Sequence, residues 1–180
     1  MKLPLLLLAL VAFPLISLAT TNSKEDRIRS RLEDKLVDIE SLIAQRDALD
    51  TTVSQAPVAW HLDHSLKVIN NIFTALSDSD PDQRKSNFNF TRSVVFISGT
   101  IPRGVAQSPK SVRPPEVILT EDIRTQISQV RSNLQAFSTL PERANFEHPV
   151  FGNLNRKKTL RFLEIHTEHH LKIIRDILGE

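Results

Sequence analysis

The chain has 180 residues, 40% of them hydrophobic and 24% charged, with a formal net charge of +2 and no cysteine. This length predicts a single domain of ordinary soluble composition. The missing thiols exclude disulfides, thiolate metal sites, c-type haem attachment and cysteine nucleophiles, and the scattered basic residues give no argument for a nucleic-acid partner.

The first residues, MKLPLLLLALVAFPLISLATTNSK, join one lysine to an apolar run from Leu3 to Leu18. Ser17-Leu18-Ala19 places small residues where a signal peptidase inspects the chain, and polar residues follow. The expectation is a signal peptide over residues 1–19, export to the periplasm or the extracellular space, and a domain over 20–180. The alternative is an uncleaved N-terminal anchor, which Pro4, Pro14 and the shortness of the run weaken. No stable membrane span is expected after cleavage.

Beyond the leader, Ile28, Leu32, Leu36, Ile39, Ile43 and Leu49 form one apolar stripe, predicting a long first helix. A second helix is predicted from Pro57, a residue tolerated at the first helical position, with Val58, Leu62, Leu66, Ile69, Phe73 and Leu76 inward. A third is predicted behind Thr120 as N-cap, carrying Ile123, Ile127, Val130, Leu134 and Phe137. The last runs from about Asn155 to Leu178, and RKK at 156–158 reads as its solvated first turn. Only four glycines and no tyrosine argue against a strand-and-turn architecture. The predicted fold is therefore all-α, a four-helix bundle.

The connection between the second and third helices exceeds what adjacent helices need. It contains NFNFTRSVVFISG, a candidate short helix, and the proline-rich TIPRGVAQSPKSVRPPE. It is expected to cross the bundle as an ordered strap, with Val94–Ile97 buried beneath it. Such a crossover suits a ferritin-like or up-up-down-down connectivity better than a meander. LPERANFEHPVFGNLN, before the last helix, reads as irregular, with His148 in a structural turn.

Histidine patterning carries the chemistry. On the last helix His166 and His170 stack four apart on the apolar face, while His169 lies nearer solvent. They are either core histidines or a metal-ligating pair, since two packed imidazoles resist ionisation and leave nitrogens needing partners. On the second helix the wheel turns His61 toward the apolar centre and His64 away from it. His61 is then the candidate third ligand, and His64 a surface residue or a hydrogen-bond partner near the site. Asp63 and Glu168 are expected to be exposed carboxylates, so no general acid or base is named.

WHLDHS at 60–65, IPRGVAQSPK at 101–110 and HPVFGNLNRKKTLRFLEIHTEHHLKII at 148–174 together resemble the DinB/YfiT-like superfamily of metal-dependent proteins. The resemblance covers most of the chain after the leader and implies a four-helix bundle with three histidines around a divalent metal (Zn, Ni, Fe or Mn). Carried over by position, these are His61, His166 and His170. The family includes thiol-dependent transferases and isomerases, in which the metal lowers the pKa of a small thiol cofactor. Export departs from that pattern, because small thiols are mainly cytosolic. The resulting expectation is a metal-dependent hydrolase or group transferase acting on a small molecule, with a homodimer left open. The competing reading is a non-catalytic bundle that binds metal or contacts other proteins.

Overall fold

The structure is a computed structural model that describes residues 23–104 and 107–180. The leader of residues 1–19 lies outside the described residues. Five helices dominate: α1 (Lys24–Ser41), α2 (Val58–Ser77), α3 (Phe90–Ser98), α4 (Thr120–Ala136) and α5 (Arg156–Leu178). A hairpin of two short antiparallel strands, β1 (Asn145–His148) and β2 (Gly152–Asn155), precedes α5. The protein is thus mostly helical, and the all-α expectation is corrected by this hairpin. The strands pair Phe146 with Leu154 across the ladder, and Leu154 is buried in the core. Four residues per strand, with one apolar side chain each, are too few for a period-two pattern to register in the sequence.

Local chemistry explains the helix ends. Ser23 opens α1 with a capping box to Asp26, and Asn155 caps α5 by accepting from the Lys158 amide. Gly99 and Gly179 terminate α3 and α5 in the left-handed region, at φ +67° and +74°. Pro57 sits at the cap of α2, one position before its first helical residue. Thr120 begins α4 rather than capping it, and its hydroxyl instead accepts from Arg46 Nη1 at 2.7 Å. The first helix stops at Ser41, passes through a 3₁₀ turn over Leu42–Gln45 and leaves Leu49 exposed, so the predicted stripe overran the helix.

Side-chain pairings fix the helix directions. Glu25, Arg31, Lys35 and Asp38 of α1 pair in that order with Arg156, Glu164, Glu168 and Arg175, so α1 and α5 run parallel. Asp63 with Gln126 and Asn70 with Asn133 make α2 and α4 parallel as well. Glu40 with Arg131, and Arg46 with Thr120, set α4 antiparallel to α1. His61 beside His170 and His64 beside His166 set α2 antiparallel to α5. The four long helices therefore run up, down, down and up with one long crossover, the direction pattern of the ferritin-like expectation and not of the up-up-down-down one. The turn after α1 reverses the chain, and the long crossover returns it to the starting end of α2. Ile28, Leu32, Leu66, Ile123, Leu134, Leu163 and their neighbours form one core between these helices. Burying each such side chain contributes about 2 kcal/mol.

The crossover is pinned along its length. Arg161 donates to the Phe96 carbonyl at 3.2 Å, and Arg103 pairs with Asp176 at 2.6 Å. Asn71 donates to the Ser111 carbonyl at 2.8 Å. The strap thus climbs along α5, then crosses onto α2. Of the VVFI segment, Val95 is buried and Phe96 half-buried, but Val94 and Ile97 face outward, correcting the expectation of wholesale burial.

Candidate metal centre

The antiparallel crossing of α2 and α5 brings four imidazoles into one cluster. Ring centroids are 4.6 Å apart for His166 and His170, 4.8 Å for His64 and His170, and 5.2 Å for His64 and His166. Each of His64, His166 and His170 offers a nitrogen within 4.8 Å of the others, so the three could hold a metal ion. His61 stands beside this triangle, with its Nδ1 3.0 Å from His170 Nδ1 and its Nε2 3.0 Å from Ser54 Oγ.

His166 and His170 therefore lie together, as their four-residue spacing predicts, and His61 is buried beside them. The expectation placed His61 in the ligand set. The structure groups His64 with His166 and His170, and sets His61 Nδ1 against His170 Nδ1. His64 is not a surface residue: it is 3% exposed, and its Nδ1 lies 2.8 Å from the Val112 carbonyl. The helical wheel failed here because residues 61–66 of α2 are buried on every side, between α4, α5 and the strap. His169 is half-buried beneath the strap, with the Ile101 backbone and Arg103 nearby.

The electrostatics keep these rings neutral. Burial pushes the His61 imidazole down to about 4, helped by the positive potential of His64, His169 and Arg103. Burial likewise lowers His64, although the Val112 carbonyl opposes it. His166 and His170 are held well below the ordinary range, first by burial and then by the neighbouring histidines. Neutral imidazoles retain the lone pairs that coordinate metals.

A carbonyl only accepts, so His64 Nδ1 must donate to Val112, which leaves His64 Nε2 as its available donor to a metal. His166 Nδ1 is buried with no hydrogen-bond partner among the described residues. An orphaned imidazole nitrogen beside two other neutral rings fits a bound cation. Sequence reasoning missed three supporting groups: Trp60, whose ring stacks on His64 at 4.8 Å, Ser54 and the Val112 carbonyl. The strap's excess length was the available signal, since a connection that long must cover something.

The nearby carboxylates are engaged elsewhere. Asp63 is buried, contrary to expectation, because α4 covers it; it accepts from Gln126 at 2.6 Å and pairs with Lys67 at 2.7 Å. Glu168 is half-buried and faces α1, paired with Lys35 and Arg175. His148 ends β1 in the expected turn, its Nδ1 accepting the Val150 and Phe151 amides at 3.1 Å each. Phe162 lies between His148 and His166, joining hairpin and cluster through ring contacts.

Comparisons with family models, with curated proteins and with solved structures returned no match. Among the described residues, no helix is long and apolar enough to cross a membrane.

Proposed function

We propose that the protein is a metal-dependent member of the DinB/YfiT-like four-helix bundles, in which His64, His166 and His170 hold one divalent ion. The observation that carries this reading is the convergence of three neutral imidazoles, one with an orphaned buried nitrogen. Nitrogen donors of this kind suit Zn, Ni or Fe and favour Mn less. Three neutral ligands leave the ion its positive charge and an open position, and there it would supply Lewis acidity toward a bound water or a small-molecule substrate.

The chain's own residues orient the donors. The Val112 carbonyl sets the His64 tautomer. Ser54 Oγ already accepts from the Ala56 amide at 3.1 Å and has a lone pair left for His61 Nε2–H. His61 Nδ1 can then accept from His170 Nδ1–H, turning the His170 Nε2 lone pair toward the cluster. Trp60 and the strap exclude water from one side of the rings. Hydrolysis or group transfer is the reaction class that suits such a centre. The apolar leader supports export, which intact-mass measurement checks: protein recovered from the native host should lack about nineteen residues.

Calorimetric zinc titration tests the ligand set. Replacing His64, His166 or His170 with Ala should weaken binding by more than about 100-fold, beyond the 10- to 100-fold typical of outer partners. His61→Ala should fall inside that smaller range, and His61→Asn, which keeps an acceptor toward His170, should recover part of the loss. Full binding in His64→Ala together with abolished binding in His61→Asn would return the third ligand to His61. Unchanged binding in His166→Ala would dismiss the centre.

A further inference from the structure

The outward face of α3 inverts the usual polarity of a surface helix. Phe90, Val94 and Ile97, at i, i+4 and i+7, form an apolar stripe pointing into solvent, while the cationic Arg92 is buried on the opposite side. Arg92 is held there by the Phe151 carbonyl at 2.8 Å and the Asn87 carbonyl at 2.6 Å. The orientation is therefore anchored by the fold. Phe88, just before the helix, extends the stripe: Phe88, Phe90 and Ile97 are 83%, 72% and 86% exposed. Isolated exposed apolar residues need no explanation, but four large ones between positions 88 and 97 do.

The segment that carries this stripe has charge of one sign. Between Gln83 and Pro115 the sequence carries Arg84, Lys85, Arg92, Arg103, Lys110 and Arg113, and no carboxylate. Arg84 and Lys85 form no ion pair among the described residues. Lys158 of α5 lines the open cleft beside Phe88, Phe96 and Ile97. Burial, then the positive charges of Arg92 and Arg84, lower its ammonium from the ordinary value, as expected of cations gathered without a counter-charge.

The end of the molecule is also specified. Ser23 caps α1, and Glu25 in its first turn pairs with Arg156, two residues before Lys158. Ser23, the first described residue, therefore lies at the end of the body that carries this cationic, aromatic face.

We propose that this face docks on an anionic membrane surface, with Phe88, Phe90, Val94 and Ile97 entering the interfacial layer and Arg84, Lys85 and Lys158 meeting lipid phosphates. Protruding aromatic and aliphatic side chains rimmed by cations are what such a surface binds. A peptide partner would be favoured by a groove that takes in the whole apolar stripe, whereas the cleft beside Lys158 includes only Phe88 and Ile97 of it, and Phe90 and Val94 stand outside on the convex side of the helix. The docking is independent of the metal centre and holds whether or not the leader is retained.

The absence of cysteine allows a single reporter. Full-length protein carrying Ile97→Cys, labelled with an environment-sensitive fluorophore, is mixed with phosphatidylcholine vesicles containing or lacking phosphatidylglycerol. Blue-shifted emission with the anionic vesicles alone is expected, and the same label on Val37→Cys, an exposed residue of α1, should stay in water. Arg84→Gln with Lys85→Gln should reduce partitioning about 25-fold, at about fivefold per cation. No shift at position 97, or equal shifts on neutral and anionic vesicles, would overturn the proposal. A shift before vesicles are added would also overturn it, showing that the leader or a second copy covers the face.

Discussion

Acid should destabilise this protein through its packed, neutral histidines, and the half-buried His148 isolates one of them away from the proposed ligands. Burial lowers its imidazole to about 4, against about 6.5 for an unfolded histidine. The cause is visible: the ring is stacked on Phe151 at 4.5 Å and lies edge-on to Phe162, and its Nδ1 accepts two backbone amides. Protonating Nδ1 would set a third N–H against those two donors. Between pH 6.5 and 4 the unfolded chain binds more protons here than the folded one, so stability falls as pH falls through that window. The loss attributable to this one site is about 2 kcal/mol at pH 5 and about 3 kcal/mol at pH 4. His148→Asn keeps an acceptor for the same turn amides and does not titrate. It should cost about 1 to 2 kcal/mol at pH 8 through lost ring packing, yet lose about 2 kcal/mol less than the parent between pH 8 and pH 5. Urea unfolding at pH 8, 7, 6 and 5, with chelator present to keep metal off the other histidines, measures both quantities. Identical pH dependence in parent and variant would refute the assignment of a half-buried, neutral His148.

Arg92→Met should destabilise by about 2 to 4 kcal/mol in the same unfolding assay, because the Phe151 and Asn87 carbonyls lose their charged donor while the volume is kept. Gly152→Ala should cost about 1 to 2 kcal/mol: φ there is +67°, and the added methyl would lie 2.6 Å from Asn87 Nδ2. Limited proteolysis should spare the strap's interior, and Arg103→Ala should raise cutting near it by removing the pair with Asp176, read as the rate of fragment appearance.

What the sequence by itself determined was the set of long helices and the pairing of His166 with His170. Both follow from a local period: apolar residues three and four apart make a face, and two histidines four apart share one whatever the fold around them. The excess length of the crossover is legible on the same terms, as chain length. Which histidine of WHLDHS joins the cluster was decided only in three dimensions. A wheel ranks His61 and His64 by angle from one apolar centre, which assumes that burial comes from one side. Here the strap closes over the far side of α2 and presents the Val112 carbonyl to His64. The antiparallel crossing with α5 then gives His64 two histidine neighbours and sets His61 behind His170. The outward stripe of α3 was likewise set by contacts distant in sequence, with Arg92 drawn inward by the Phe151 carbonyl, 59 residues on. A periodic pattern specifies that a face exists, and only packing determines what meets it.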